Sequence, residues 1–228
     1  MANLLSIETS TSVCSVNFSV DGQSVFNKIH EGEVSHASLL GVFVADAVKY
    51  AEKAGIKTDA VAVSAGPGSY TGLRIGLSEA KGLCYGWNVP LIAVPTLKIL
   101  AVAALSAYDI QNGLLCPMLD ARRMEVYSAL YDLQLNEIRK PKAEVIDTKS
   151  YQQDLAQQPI VFFGTGAEKC QTVIWSPQAQ FLPDIYPTAE TMIGLANQAY
   201  AAQDFVNTAY FEPYYLKEFQ ATVPKKMI

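Results

Sequence analysis

The order of its predicted elements makes this chain an α/β protein of two lobes, each a mixed sheet covered by helices. Two successive stretches read βββαβα and divide near residue 105. The length of 228 residues suits one large domain or two small lobes sharing an interface. Half the residues are hydrophobic and only 17% are charged, against about 25% in an average soluble chain, so the protein buries a large core or covers itself with a partner.

Asn3 to Thr9 reads as a short apolar strand, and Val13 to Val20 alternates, with Cys14, Val16, Phe18 and Val20 on one face. Asp21-Gly22 is a dipeptide that a tight hairpin turn prefers, because its residues must tolerate positive φ, and a third strand runs from Ser24 to His30. A helix follows, capped by Ser35, with apolar residues at Leu39, Leu40, Phe43, Val44, Ala47, Val48 and Ala51, and stopped by Gly55. Ala60 to Ala65 is a buried strand. The loop from Gly66 leads into a helix over 71–85, then a strand at Leu91 to Val94 and a helix from Thr96 to Tyr108. The second half predicts strands at Leu114–Leu119 and Glu125–Tyr131, a weaker one at Ala143–Ile146, a helix near Ser150–Ala156 and a strand at Ile160–Phe163. A short helix after Gly164-Thr165-Gly166 and a longer one from Thr188 to Ala202 complete it.

The net charge of -5 and the scattered lysines and arginines provide no basic stripe, which argues against autonomous nucleic-acid binding. Cys14, Cys84, Cys116 and Cys170 are spaced for neither a zinc site nor a disulfide framework and read as reduced core residues of a cytosolic protein. The N-terminus has no basic segment followed by a long apolar one. The longest uncharged stretch, Gly82 to Leu97, is broken by Gly86, Pro90 and Pro95. Neither a signal peptide nor a membrane span is expected, and the location expected is cytoplasmic.

The element order suits the actin-like, Hsp70-like and sugar-kinase architecture of the ribonuclease H-like class. There, an acid at the end of the first strand of each lobe helps handle Mg²⁺ and nucleotide phosphate. Glu8 and Asp120 occupy those places, but neither is followed by the paired glycines that let a backbone close around phosphate. Arg122 and Arg123 read as solvated edge charges, with one of them able to face the cleft.

The segment Gly66-Pro-Gly-Ser-Tyr-Thr-Gly-Leu-Arg-Ile-Gly76 is no P-loop, since Leu73-Arg74 stands where Lys and Ser/Thr belong, and its glycine spacing is not that of a dinucleotide fingerprint. Gly72, Gly76 and Ala80 lie four apart on one helical face and permit close approach of another backbone. That face packs against this chain's own sheet or helices, or docks another chain; spacing leaves both readings open. His30 and His36 are six apart across a strand-to-helix junction, so they read as solvated or capping residues with no metal site, and no GxSxG elbow occurs. The aromatic segment Tyr210 to Phe219 is expected to fold back and pack.

Three blocks resemble the bacterial TsaB family, also called YeaZ: Leu5-Ser-Ile-Glu-Thr-Ser10, the Gly66 to Gly76 run, and Leu119-Asp-Ala-Arg-Arg-Met-Glu-Val-Tyr127. Glu212-Pro-Tyr-Tyr-Leu216 is similar to the family's C-terminal signature. The resemblance implies a non-catalytic subunit that assists threonylcarbamoylation of adenosine 37 in tRNAs reading ANN codons. It implies homodimers or pairing with the catalytic paralogue TsaD, with the ATPase TsaE joining, and tRNA met only through the complex. No catalytic residue or cofactor is expected in this chain, ATP and metal belonging to the partner complex. TsaD holds its metal with two histidines four apart; His36 aligns with the first, but Leu40 stands at the second. Carried over by position, residues 1–104 form the partner-binding lobe and 105–228 the second lobe. The interface then maps to Leu39, Leu40 and Phe43 and to Gly72, Gly76 and Ala80, with Tyr70 and Arg74 beside them. The alternatives are an actin-like ATPase or phosphotransferase using Glu8 and Asp120 and, more distantly, a glycoprotease-like metallopeptidase.

Overall fold

The computed structural model describes residues 2–32 and 36–217. The first sheet holds β1 (Asn3–Glu8), β2 (Val13–Val20), β3 (Gln23–Glu31), β4 (Ala60–Ser64) and β5 (Leu91–Val94) in the order β3-β2-β1-β4-β5. Strand β1 runs antiparallel to β2, pairing Asn3 with Val20 and Glu8 with Ser15, and parallel to β4, pairing Leu4 with Ala60. The β2–β3 turn places Asp21 and Gly22 at φ of 52° and 82°, the conformation for which that dipeptide is suited.

The second sheet repeats this topology. It contains β6 (Leu114–Asp120), β7 (Glu125–Tyr131), β8 (Glu137–Val145), β9 (Ile160–Phe163) and β10 (Ala179–Leu182), ordered β10-β9-β6-β7-β8. Both halves therefore read βββαβαβα, and the two-lobed α/β architecture expected from the sequence is the one observed. Two strands differ from expectation. Strand β8 begins six residues before the predicted start because an edge strand tolerates the charges and Pro141 that disguised it. Strand β10, only four residues long, is not anticipated by any alternation; it adds in parallel to the outer side of β9.

Helices α1 (His36–Lys53) and α2 (Tyr70–Trp87) cover one face of the first sheet, where Leu40, Val44, Leu77 and Ala80 meet Leu5, Ile7, Val16 and Phe18. The sides then cross. Helix α3 (Thr96–Ala107), from the first half, lays Leu97, Leu100 and Ala104 on the second sheet against Leu115, Val161 and Phe163, while Ile99 turns back to the first. From the second half, α6 (Ile193–Ala201) returns to the first sheet, where Met192 and Ala196 pack with Leu4, Ala62 and Ile92. Strand β1 is thus covered on both faces, which explains its nearly continuous apolar sequence.

The short helices α4 (Gln152–Leu155) and α5 (Ala167–Cys170) cover the remaining face of the second sheet. Helix α4 is shorter than the predicted Ser150–Ala156 because Tyr151 adopts a left-handed conformation, φ 62°, immediately before it. The last helix starts five residues late: Thr188 and Thr191 bond each other's backbone and hydroxyls, holding a turn where helix was expected. Ser35, the expected cap of α1, lies outside the described residues. All four cysteines are buried and free.

Candidate functional site

The two lobes enclose a cleft of about 600 Å³. Its first-lobe wall is the β1–β2 turn, Ser10 to Ser12, with Gly68 and Ser69; its second-lobe wall includes Asp120, Arg122 and Thr165. The first wall is built by glycine. An ideal Cβ on Gly68 would lie 2.5 Å from the Ser10 carbonyl oxygen, so only hydrogen there lets the loop close and the Ser69 amide donate to that carbonyl at 2.7 Å. Ser69 caps α2 by accepting from the Gly72 amide at 3.2 Å, and Thr9 Oγ1 donates to the Gly72 carbonyl at 2.8 Å. His36, at the start of α1, donates from Nε2 to the Thr11 carbonyl at 2.7 Å, tying that helix to the same turn.

The two candidate acids stand in different environments. Glu8 does not line the cleft; it is fully buried, and its Oε1 accepts from the Ser10 amide at 2.5 Å. Burial pushes its carboxyl above the ordinary value, with hydrogen bonding from Ser10, Ser64 and Thr9 only opposing the trend. Asp120 does line the cleft, but its carboxylate is ion-paired with Lys169. The Lys169 ammonium also donates to the carbonyls of Arg123 at 2.6 Å and Glu125 at 2.7 Å. It thereby holds a turn in which Arg122 and Arg123 both adopt left-handed φ, 71° and 49°, a conformation that disfavours side chains. Lys169 carried no motif in the sequence, and neither reading of Asp120 required it.

The close-packed glycine face of α2 points inward. An ideal Cβ on Gly72 would sit 2.0 Å from the Thr9 carbonyl oxygen, and one on Gly76 would sit 2.2 Å from Thr9 Oγ1; Ala80 is completely buried. Gly72, Gly76 and Ala80, which the resemblance placed at a partner interface, are taken up by packing within the chain, and Leu40 is 1% exposed in the first core. Internal packing is the reading of the spacing that the geometry supports. Leu39 and Phe43 are partly buried against the first core and keep some exposed surface on α1 beside Val42, which is 57% exposed. Tyr70 and Arg74 also reach the surface region of α2, where the guanidinium lies 4.4 Å from the centre of the Tyr70 ring.

The C-terminal segment folds back as expected through residue 217, with Phe211 against the first core and Pro213 buried; Glu218 and Phe219 lie outside the described residues. Tyr214 to Lys217 line the cleft, a placement that the aromatic composition alone did not reveal. Among the described residues no group of three or more His, Cys, Asp or Glu is arranged to hold a metal ion, and no helix is long and apolar enough to cross a membrane.

A family profile described as "TsaD: tRNA N6-adenosine threonylcarbamoyltransferase" matches residues 30–225. The chain is 30% identical over 223 residues to the tRNA threonylcarbamoyladenosine biosynthesis protein TsaB of Escherichia coli (strain K12), covering 94% of each. It is 44% identical over 71 residues to the protein of the same name from Bacillus subtilis (strain 168), covering 31% of this chain and 29% of that one. The solved structure of YeaZ from Pseudomonas aeruginosa superposes with a TM-score of 0.79 at 30% identity, covering 95% of this chain and all of that one. A correspondence of this length in both sequence and fold leaves one assignment: the chain belongs to the TsaB (YeaZ) family, within the wider group matched by the threonylcarbamoyltransferase profile.

Proposed function

We propose that this chain is a non-catalytic subunit for synthesis of threonylcarbamoyladenosine at position 37 of ANN-decoding tRNAs, acting by binding a TsaD-type transferase. The end-to-end correspondence with the Escherichia coli biosynthesis protein carries this reading. The cleft chemistry supports it, because Glu8 is sequestered in the core while the Asp120 carboxylate is already neutralised by Lys169. In this reading residues 1–104 form the partner-binding lobe and 105–228 the second lobe. ATP and metal act in the partner complex, tRNA is met there, and a TsaE-type ATPase joins it in the cytoplasm. Alone, the chain pairs with itself.

The docking surface is the outer side of α1, with Leu39, Val42 and Phe43, extended by Tyr70 and Arg74. Burying half-exposed apolar side chains stabilises association by about 25 cal/mol per Å² removed from water. Val42→Arg places a charge at the centre of that surface without entering the core. It should weaken association at least tenfold, or about 1.4 kcal/mol. Light scattering after size-exclusion chromatography, on this chain alone and mixed with TsaD from the same organism, tests the reading. A mixed complex that weakens with Val42→Arg supports it; no complex, even with tRNA and ATP present, refutes it. ATP hydrolysis by the chain alone, lost on Asp120→Asn, would establish the phosphotransferase alternative instead.

A further inference from the structure

Residues 213–217 touch both lobes within five positions. Pro213 is buried, and the Tyr214 amide donates to the carbonyl of Ala65, at the end of β4, at 2.7 Å. The approach depends on Gly66, where an ideal Cβ would meet the Tyr214 carbonyl oxygen at 2.8 Å and φ is +97°. Next, the Tyr215 ring lies 4.9 Å from the Tyr70 ring, and its hydroxyl accepts from Arg74 Nε at 3.2 Å. All these anchors belong to the first lobe. Two residues later Lys217 forms an ion pair with Glu125 of β7, in the second lobe. Between the anchors, Tyr214 to Lys217 form part of the cleft wall.

A passive tail need only pack on one lobe. This segment makes a backbone bond, an aromatic and cationic contact, and an ion pair, distributed over the two lobes along the cleft wall. Anchors joined by so short a link raise one another's effective concentration, so loss of one weakens the others. The geometry points to a strap: residues 213–217 lock the two lobes together across the cleft, and the cleft is uncovered when the strap lifts. Its occupancy of Arg74 and Tyr70 also means that a protein using those two side chains competes with Tyr215.

Amide hydrogen exchange on the full chain tests the lock without any partner, so a failure of partner binding and a failure of the strap are separate results. Lys217→Glu reverses the charge at the second-lobe anchor. It should speed exchange of the Tyr214 amide, at the first-lobe anchor, and of the cleft amides from Ser10 to Ser12 by about two- to fivefold, the range expected for loss of a partly exposed ion pair. The double change Lys217→Glu with Glu125→Lys restores the pair with reversed sign and should restore protection. Arg74→Ala should speed exchange around residue 217 from the other end. Faster exchange confined to the substituted anchor, or a segment 213–217 already unprotected in the unchanged protein, overturns the strap. Unchanged thermal midpoints verify that the variants are folded.

Discussion

Substituting alanine for glycine at two places on α2 should have opposite effects. At Gly72 the new Cβ would start 2.0 Å from the Thr9 carbonyl oxygen and must retreat to about 3.4 Å for ordinary contact, against a fully buried residue just past β1. Overpacking of this kind costs about 3 kcal/mol, while relief of glycine's helix penalty returns about 1 kcal/mol. The expected net loss is about 2 kcal/mol, a fall of about 4–8 °C in Tm for a chain of this size. At Gly82, ten residues along the same helix, no atom of the described residues lies within 4 Å of an added Cβ. There the helix gain stands alone and should stabilise by up to about 1 kcal/mol. Urea and thermal unfolding of the two variants measure both numbers. Equal stability of Gly72→Ala and Gly82→Ala would refute the inward packing of the glycine face.

Glu8→Gln should flatten the pH dependence of stability. Burial raises the Glu8 carboxyl above the ordinary 4.5, so it keeps its proton to higher pH in the folded chain than in the unfolded one, and stability falls as pH rises from about 4.5 through the folded value. Urea midpoints between about pH 5 and about pH 8 should decline less in the variant; parallel slopes would show that Glu8 is already ionised in the fold. Lys169→Met removes the ammonium from Asp120 and from two carbonyls of the Arg122–Arg123 turn. It should destabilise by about 1 kcal/mol and speed amide exchange over 121–125, whereas unaltered exchange there would leave the turn self-supporting. Leu100→Ala, on the helix that lies against the second sheet, should cost about 2–5 kcal/mol by calorimetry, far more than a change at exposed Val42.

Local chemistry explains which parts of this structure were legible from the sequence. Asp21-Gly22 announces its turn because few residues accept positive φ, and β1 and β2 announce themselves by apolar content fixed by burial. Edge strands lack that signal: β8 is half exposed and carries Pro141 and three basic residues, and β10 offers four residues without alternation. The end-of-strand acids could be located, but not their fates, since Glu8 is sealed by packing and Asp120 is answered by a lysine 49 positions away. Spacing identified the glycine face of α2 but could not tell which neighbour it met. That depended on Thr9, 63 positions from Gly72.

The duplicated topology also shows how the lobes came to differ at equivalent points. In each, a glycine loop after the inner parallel strand presses against the end of the lobe's first strand: Gly68 on Ser10, and Gly164 and Gly166 on Met118 and Leu119. The same steric device serves both, since a Cβ at Gly164 would lie 2.5 Å from the Met118 carbonyl oxygen. The helices beyond these loops diverge. In the first lobe the loop opens the 18-residue α2, whose glycine face packs on Thr9, next in sequence to the fully buried Glu8. In the second it opens the four-residue α5, too short to cover the strand end, and Asp120 stays at the cleft, where Lys169 on that same short helix supplies the countercharge. One architecture thus disposes of two acids by two physical routes, desolvation in one lobe and ion pairing in the other, so that Glu8 and Asp120 do not form a facing pair of free carboxylates.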